Sequence, residues 1–168
     1  MIDPTRRAAP VAGPEWLARL RERASLPHRT PREPLLTGSA VIGSIEPDVA
    51  RRIFAAGLPL RRIGDGWTLA GPVDDALRAL AGWLSDEKLG GRWRGELLDV
   101  VDDGGNRHGS IERAAVRALG IATHAVHLIG RRPDGAVWIQ QRARDKAVDP
   151  GLWDTIMGGL VSSGETIT

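Results

Sequence analysis

The sequence predicts a mixed fold of the α+β or α/β class, with an N-terminal α/β domain followed by the first part of a second domain. Three observations carry this. Between residues 35 and 118, short apolar runs alternate with amphipathic helical patterns. After residue 119 the pattern changes to two apolar runs around a turn signal. The chain's 168 residues, 42% hydrophobic and 26% charged, are enough for one full domain and part of another. The expected division is an arm and helix over 1–34, an α/β domain over 35–118 and a partial domain over 119–168.

Residues 1–13 read as a disordered arm. Pro14-Glu15 opens a helix through Arg23, with Trp16, Leu17 and Leu20 on one face. Three prolines make 28–34 a loop. Ser39 to Ile45 reads as a strand. Glu46-Pro47-Asp48 opens a helix through Ala56, with Gly57 just past its end. Leu58 to Ile63 is a strand, Asp65-Gly66 a turn, and Trp67-Thr68-Leu69 extended. A second helix starts at Pro72-Val73-Asp74-Asp75 and carries an apolar stripe of Ala76, Leu77, Leu80, Trp83 and Leu84 to about Asp86. Gly90-Gly91 separates it from a strand over Glu96 to Val101. Asp102 to Arg107 is a polar turn, and Ser110-Ile111-Glu112-Arg113 opens a third helix ending before Gly120. Thr123 to Ile129 and Ala136 to Gln141, joined through Arg132-Pro133-Asp134-Gly135, predict a β-hairpin.

Composition excludes several functions. With no Cys there is no disulfide, thiolate zinc site or Cys nucleophile; a reducing cytoplasm fits this, and cytoplasmic is the expected location. The pI of 9.9 accompanies a net charge of only +2. With no Cys or Tyr and only two lysines, Lys88 and Lys146, a small positive excess persists to high pH. No basic stripe interleaved with aromatics appears, so nucleic acid is not an expected partner. No run approaches the roughly 18 apolar residues of a membrane span, and no membrane partner is expected. The preference for Arg over Lys points to a GC-rich bacterial genome.

The segment that carries chemistry begins near Ala122. It contains the strand Val126-His127-Leu128-Ile129-Gly130, the strand Trp138-Ile139-Gln140-Gln141-Arg142, Asp149-Pro150-Gly151-Leu152-Trp153-Asp154, the pair Gly158-Gly159, and Gly164-Glu165. In this order the residues resemble the Nudix superfamily of diphosphate hydrolases. The family's box runs Gly, five residues, Glu, seven residues, Arg-Glu, an aliphatic, one residue, then Glu-Glu. Gly159 and Glu165 have the first spacing, and Thr166, Ile167 and Thr168 continue it.

The resemblance implies an α/β/α sandwich for the second domain. It implies an enzyme that hydrolyses a diphosphate linkage in a small molecule, with Mg²⁺ (or Mn²⁺) as cofactor. The metal would offset phosphate charge and activate water, and Mg²⁺ favours hard oxygen ligands. The family's ligands are mainly helix carboxylates, which fall beyond residue 168. Of the metal's ligands the resemblance leaves the Gly158 backbone carbonyl, while Gly159, Gly164 and Glu165 form the start of the box, with Glu165 a bracing residue. No catalytic residue of the family falls within the sequence. Arg142 and Lys146 follow a strand end beside this loop and are candidates to hold the diphosphate, Arg by a two-pronged contact and Lys as a point charge.

Gln140 to Lys146 with Pro150 to Asp154 resembles Nudix proteins related to thiamine pyrophosphokinase. Gly57 to Arg61, Trp93 to Leu98 and Ile111-Glu112-Arg113 extend that likeness to the N-terminal half. It implies diphosphates of thiamine or its damaged analogues as substrates. Isopentenyl diphosphate isomerases share part of the pattern, but that family relies on a Cys absent here. The third reading is a non-catalytic module that binds a ligand or partner.

Trp138 and Trp153 are expected to pack beside strands, and Trp67, Trp83 and Trp93 to lie in the N-terminal core. His124 and His127 fall three apart in one strand, so they face opposite sides and share no metal. His28 and His108 are lone loop histidines, and Asp102-Asp103 is a polar turn. Without the helix that follows the box, the strands from Ala122 to Gln141 should expose apolar surface. The 168-residue polypeptide is expected to release no phosphate from nucleoside or thiamine diphosphates with Mg²⁺; stoichiometric turnover in a phosphate-release assay would overturn this.

Overall fold

The computed structural model describes residues 13–25, 30–146 and 149–166. The expected arm (apart from Gly13), His28, Ile167 and Thr168 lie outside the described residues. Two compact units form, Met1–Pro31 and Arg32–Thr168.

The first unit contains helix α1 (Pro14–Ala24). Pro14 sits where its missing N–H costs nothing, and Ser25 N–H closes the far end on the Arg21 carbonyl at 2.9 Å.

The second unit opens with β1 (Glu33–Thr37), β2 (Ala40–Ile45), α2 (Pro47–Ala55), β3 (Leu60–Ile63), β4 (Gly66–Leu69) and α3 (Val73–Asp86). The four strands form one sheet in the order β2-β1-β4-β3. β1 and β4 run parallel, and the other two pairings are antiparallel. Next come β5 (Leu97–Val101) and β6 (Arg107–Glu112), an antiparallel hairpin, and a short 3-10 helix, Arg113–Ala115. Four short strands follow: β7 (Ala125–Leu128), β8 (Ile139–Gln141), β9 (Trp153–Thr155) and β10 (Met157–Leu160). The predicted mixed α/β class is observed.

One core serves the sheet, both helices and the hairpin. Leu35, Ile45, Ile53, Leu60, Leu77, Leu80, Leu84, Val100, Ile111 and Leu119 are fully buried in it or nearly so. The apolar stripe of α3 faces this core as its period predicts. The core ends at Ile121, and no described residue beyond it is buried. The expected division at 119 falls inside the second compact unit, two residues before the core's last member.

Four local expectations change, the first being His108, which is not a lone loop residue but lies in β6 with its Nε2 2.8 Å from Asp102 Oδ2. The 28–34 loop gives way to β1 at Glu33. Pro34 is tolerated as the second residue of that strand because the parallel pairing with β4 starts only at Leu35. The third helix is replaced by β6: Ile111 pairs with Leu98, and both are buried in a period of two. Helical structure begins only at Arg113, where the Glu112 side chain accepts from Ala114 N–H. Of the tryptophans, Trp67 is buried, Trp83 is half-buried under the Arg52 guanidinium, and Trp93 is exposed.

Glu112, 3% exposed, is the one buried charged residue among those described. Its Oε1 accepts Arg94 N–H at 2.9 Å and Ala114 N–H at 3.4 Å, so one carboxylate joins the 89–94 loop to the start of the 3-10 helix. Among the described residues no helix is long and apolar enough to cross a membrane.

Gly43 lies in β2 against the turn after the 3-10 helix, where Ser44 N–H donates to the Leu119 carbonyl at 2.9 Å. A Cβ on Gly43 would collide with that same backbone oxygen. Gly43→Ala should therefore lower stability by about 1–3 kcal/mol, as overpacking of a rigid site does. Urea denaturation checks this.

Candidate functional site

β10 carries the glycine pair and is antiparallel to β7, with Gly158 opposite His127 and Gly159 opposite Val126. Just past the strand, Val161 N–H donates to the His124 carbonyl at 3.0 Å. Hydrogen-bonded pairs alternate along an antiparallel ladder. Gly159 and Val126 are therefore a bonded pair, and Gly158 and His127 a non-bonded one. The Gly158 N–H and C=O point away from β7, toward an edge of β10 that no strand occupies among the described residues.

Side chains approach most closely at non-bonded positions, and here the His127 ring lies across Gly158. A Cβ at 158 would stand 2.8 Å from His127 Nδ1 and 2.9 Å from its Cε1. His127 is held in place by Thr155, with Nδ1 and Oγ1 2.9 Å apart. Thr155 in turn contacts Asp154: its N–H donates to Oδ1 at 2.8 Å. The other carboxylate oxygen accepts from Arg142 Nη1 at 2.8 Å. A polar chain of Arg142, Asp154, Thr155 and His127 thus ends over the glycine. Among the described residues no group of three or more His, Asp or Glu side chains could hold a metal.

β8 and β9 pair with Gln141 opposite Trp153. Arg142 N–H donates to the Leu152 carbonyl, Arg142 Nε to the Asp149 carbonyl, and Gln141 Nε2 to the Gly151 carbonyl, at 2.8, 3.1 and 2.9 Å. The Arg142 guanidinium therefore grips the 149–154 turn. Lys146 is exposed in the same loop and forms no ion pair among the described residues. The Arg132 to Gly135 turn forms as predicted, closed by an Arg131–Val137 bridge, but its flanking strands pair with β10 and β9 instead of with each other.

Glu165 folds back on its own turn. Ser162 N–H donates to its Oε2 at 2.9 Å, and Glu165 N–H to the Ser162 carbonyl at 3.0 Å. Gly164 sits at φ +85°, a conformation that L side chains rarely adopt. Ser163, between them, reaches the N-terminal core. Its Oγ donates to Asp99 Oδ1 at 2.6 Å and its N–H to the Leu97 carbonyl at 2.7 Å.

Trp138 and Trp153, expected to pack, are 58% and 66% exposed. Their strands form a two-stranded ribbon on which no described helix or sheet lies. Val126, Leu128, Ile129, Val137 and Ile139 are exposed as well, as the sequence predicts. Sequence reasoning singled out neither Asp154 nor Asp99, because their partners, Arg142 and Ser163, depend on a pairing that no local spacing encodes.

No family model matches the chain. It is 34% identical over 71 residues to an uncharacterised Nudix hydrolase of Streptomyces coelicolor, covering 42% of this chain and 39% of that protein. It is 36% identical over 70 residues to an uncharacterised Nudix hydrolase of Pseudomonas aeruginosa, covering 42% of this chain and 41% of that protein. The chain thus spans about two fifths of the length of these curated relatives. Both similarities support the Nudix superfamily for the matched segment.

Asp154 is held below its ordinary pKa of 3.8, by the Arg142 hydrogen bond first and the Thr155 N–H second. Asp99 is likewise lowered, by Ser163 first and Arg107 second. A carboxylate lowered by folding adds stability above its unfolded pKa and loses it as pH falls through the folded value. Asp154→Asn and Asp99→Asn should be less stable than wild type at neutral pH, and the gap should close only as pH falls past the unfolded value of 3.8 and through the lower folded value. Urea unfolding at each pH measures it.

Proposed function

We propose that this chain is part of a Nudix enzyme that hydrolyses a diphosphate linkage in a small molecule, with thiamine diphosphate or a damaged analogue as substrate. The observation that carries the reading is the Gly158 carbonyl. It faces the open edge of β10, in the residue that the resemblance to the family assigns to a metal. The two partial similarities to Nudix hydrolases support the same family.

A divalent metal would offset phosphate charge and activate water when bound. The described residues fit such an ion only in part. They offer one hard oxygen at Gly158 and no cluster of carboxylates. Mg²⁺ needs near-octahedral oxygen coordination, so the reading requires further ligands from outside the described residues.

The chain's own residues have separate roles. The His127 ring and Thr155 fix the backbone around Gly158, and Glu165 braces the turn that follows. Arg142 is a positioning residue, because its guanidinium already holds Asp154 and the 149–152 turn. Lys146, exposed on that loop, is the group left to meet the diphosphate as a point charge.

The test is phosphate release from thiamine diphosphate and from nucleoside diphosphates by the protein in its full genomic length, with Mg²⁺ or Mn²⁺. Turnover on thiamine diphosphate that stops with a chelator is expected. Lys146→Ala should lower kcat/KM roughly tenfold, the worth of one charge-assisted hydrogen bond. Metal-independent turnover, or none on any diphosphate, would overturn the family reading; turnover confined to nucleotides would overturn only the thiamine assignment.

A further inference from the structure

We infer that the cleft bounded by the 89–94 loop, the 3-10 helix and β10 binds a small phosphorylated anion. The cleft holds about 510 Å³, within the range of small-molecule sites. Four arginines line it: Arg92, Arg94, Arg113 and Arg117. Arg113 is neutralised by Glu96 at 2.8 Å. Among the described residues, Arg92, Arg94 and Arg117 have no carboxylate within ion-pair distance. Glu112, just before the 3-10 helix, is buried and its carboxylate accepts the backbone N–H groups of Arg94 and Ala114.

Both walls are fixed by backbone hydrogen bonds. Gly91 N–H donates to the Ala114 carbonyl at 2.7 Å, and Arg113 N–H to the Glu96 carbonyl at 2.8 Å. Gly90 lets the loop lie flat on the 3-10 helix, since a Cβ there would stand 3.1 Å from the Ala114 oxygen. Arg92, Arg94 and Arg117, none with a carboxylate partner among the described residues, thus line one cleft. A diphosphate or phosphorylated metabolite matches their charge and forked donor geometry. A nucleic-acid strand would need a basic stripe, and the sequence has none.

The inference does not depend on hydrolysis, so the probe is inorganic pyrophosphate with EDTA present, titrated calorimetrically into the 168-residue chain. Saturable binding that weakens with added salt is expected. Arg92→Ala with Arg117→Ala should weaken it about tenfold or more. The paired Lys replacements should retain part of the affinity, and Arg61→Ala on β3 should change nothing. Circular dichroism confirms that each variant is folded. No saturable binding by wild type, equal affinity in the double Ala variant, or binding of a short single-stranded oligonucleotide in place of pyrophosphate would each overturn the proposal. Because no metal is present, these outcomes leave the hydrolase reading untouched, and a failure of phosphate release leaves this one untouched.

Discussion

The carboxylate of Asp99 is the point through which the folded core holds the glycine-bearing segment. It accepts from Ser163 Oγ at 2.6 Å and Arg107 Nε at 2.7 Å, while Ser163 N–H reaches the Leu97 carbonyl. These contacts matter because the segment has little else. Among the described residues every fully buried side chain lies at or before Leu119. Beyond that point the described strands form two-stranded ribbons, which are marginal without a packed face. Its position is set by hydrogen bonds, each worth about 1 kcal/mol net, and not by burial. This is the half expected to open first.

The same condition explains Arg142. Where a hydrophobic layer would hold a turn in place, an ion pair and carbonyl contacts do so. The guanidinium satisfies the Asp149 carbonyl and the Asp154 carboxylate, and Asp154 orients Thr155, which orients His127. A cation that looked available for substrate is thus engaged in keeping the glycine's surroundings in register. The cations proposed to meet phosphate are others: Lys146 in the proposed hydrolase site, and Arg92, Arg94 and Arg117 lining a separate cleft.

Periodicity made the core legible. The α3 stripe and the runs around Ile45, Leu60 and Val100 are buried where their patterns place them. It failed where one residue type supports two structures. Ser110-Ile111-Glu112-Arg113 has the look of a helix start, yet Ile111 alternates into the core opposite Leu98, and the cap is Glu112, two residues after Ser110. Pro34 marked a loop but fits a strand whose parallel neighbour begins one residue on. In the candidate site the glycines and Glu165 could be found from spacing. Asp154, Thr155 and His127 could not, because their contact requires β9 to pair with β8 and β10 with β7, and no local pattern states that pairing.

The two glycines of the pair differ in what they do. Gly158 is required by packing, since the His127 ring occupies the place of its Cβ. Gly159 meets nothing within 4 Å at that position, and it is absent from the positive-φ residues. Their carbonyls differ too. Gly159 belongs to the bonded pair with Val126, so its backbone oxygen points into the β7–β10 ladder; that of Gly158 points out. Of the pair, only the Gly158 oxygen points to the open edge of β10, and it is the oxygen that the proposed metal site would use. Shifting the register of β10 by one residue would turn the Gly158 oxygen inward and set the Gly159 oxygen at the open edge. The contacts of Ser163 with Asp99 and Leu97, a few residues downstream, oppose that slip.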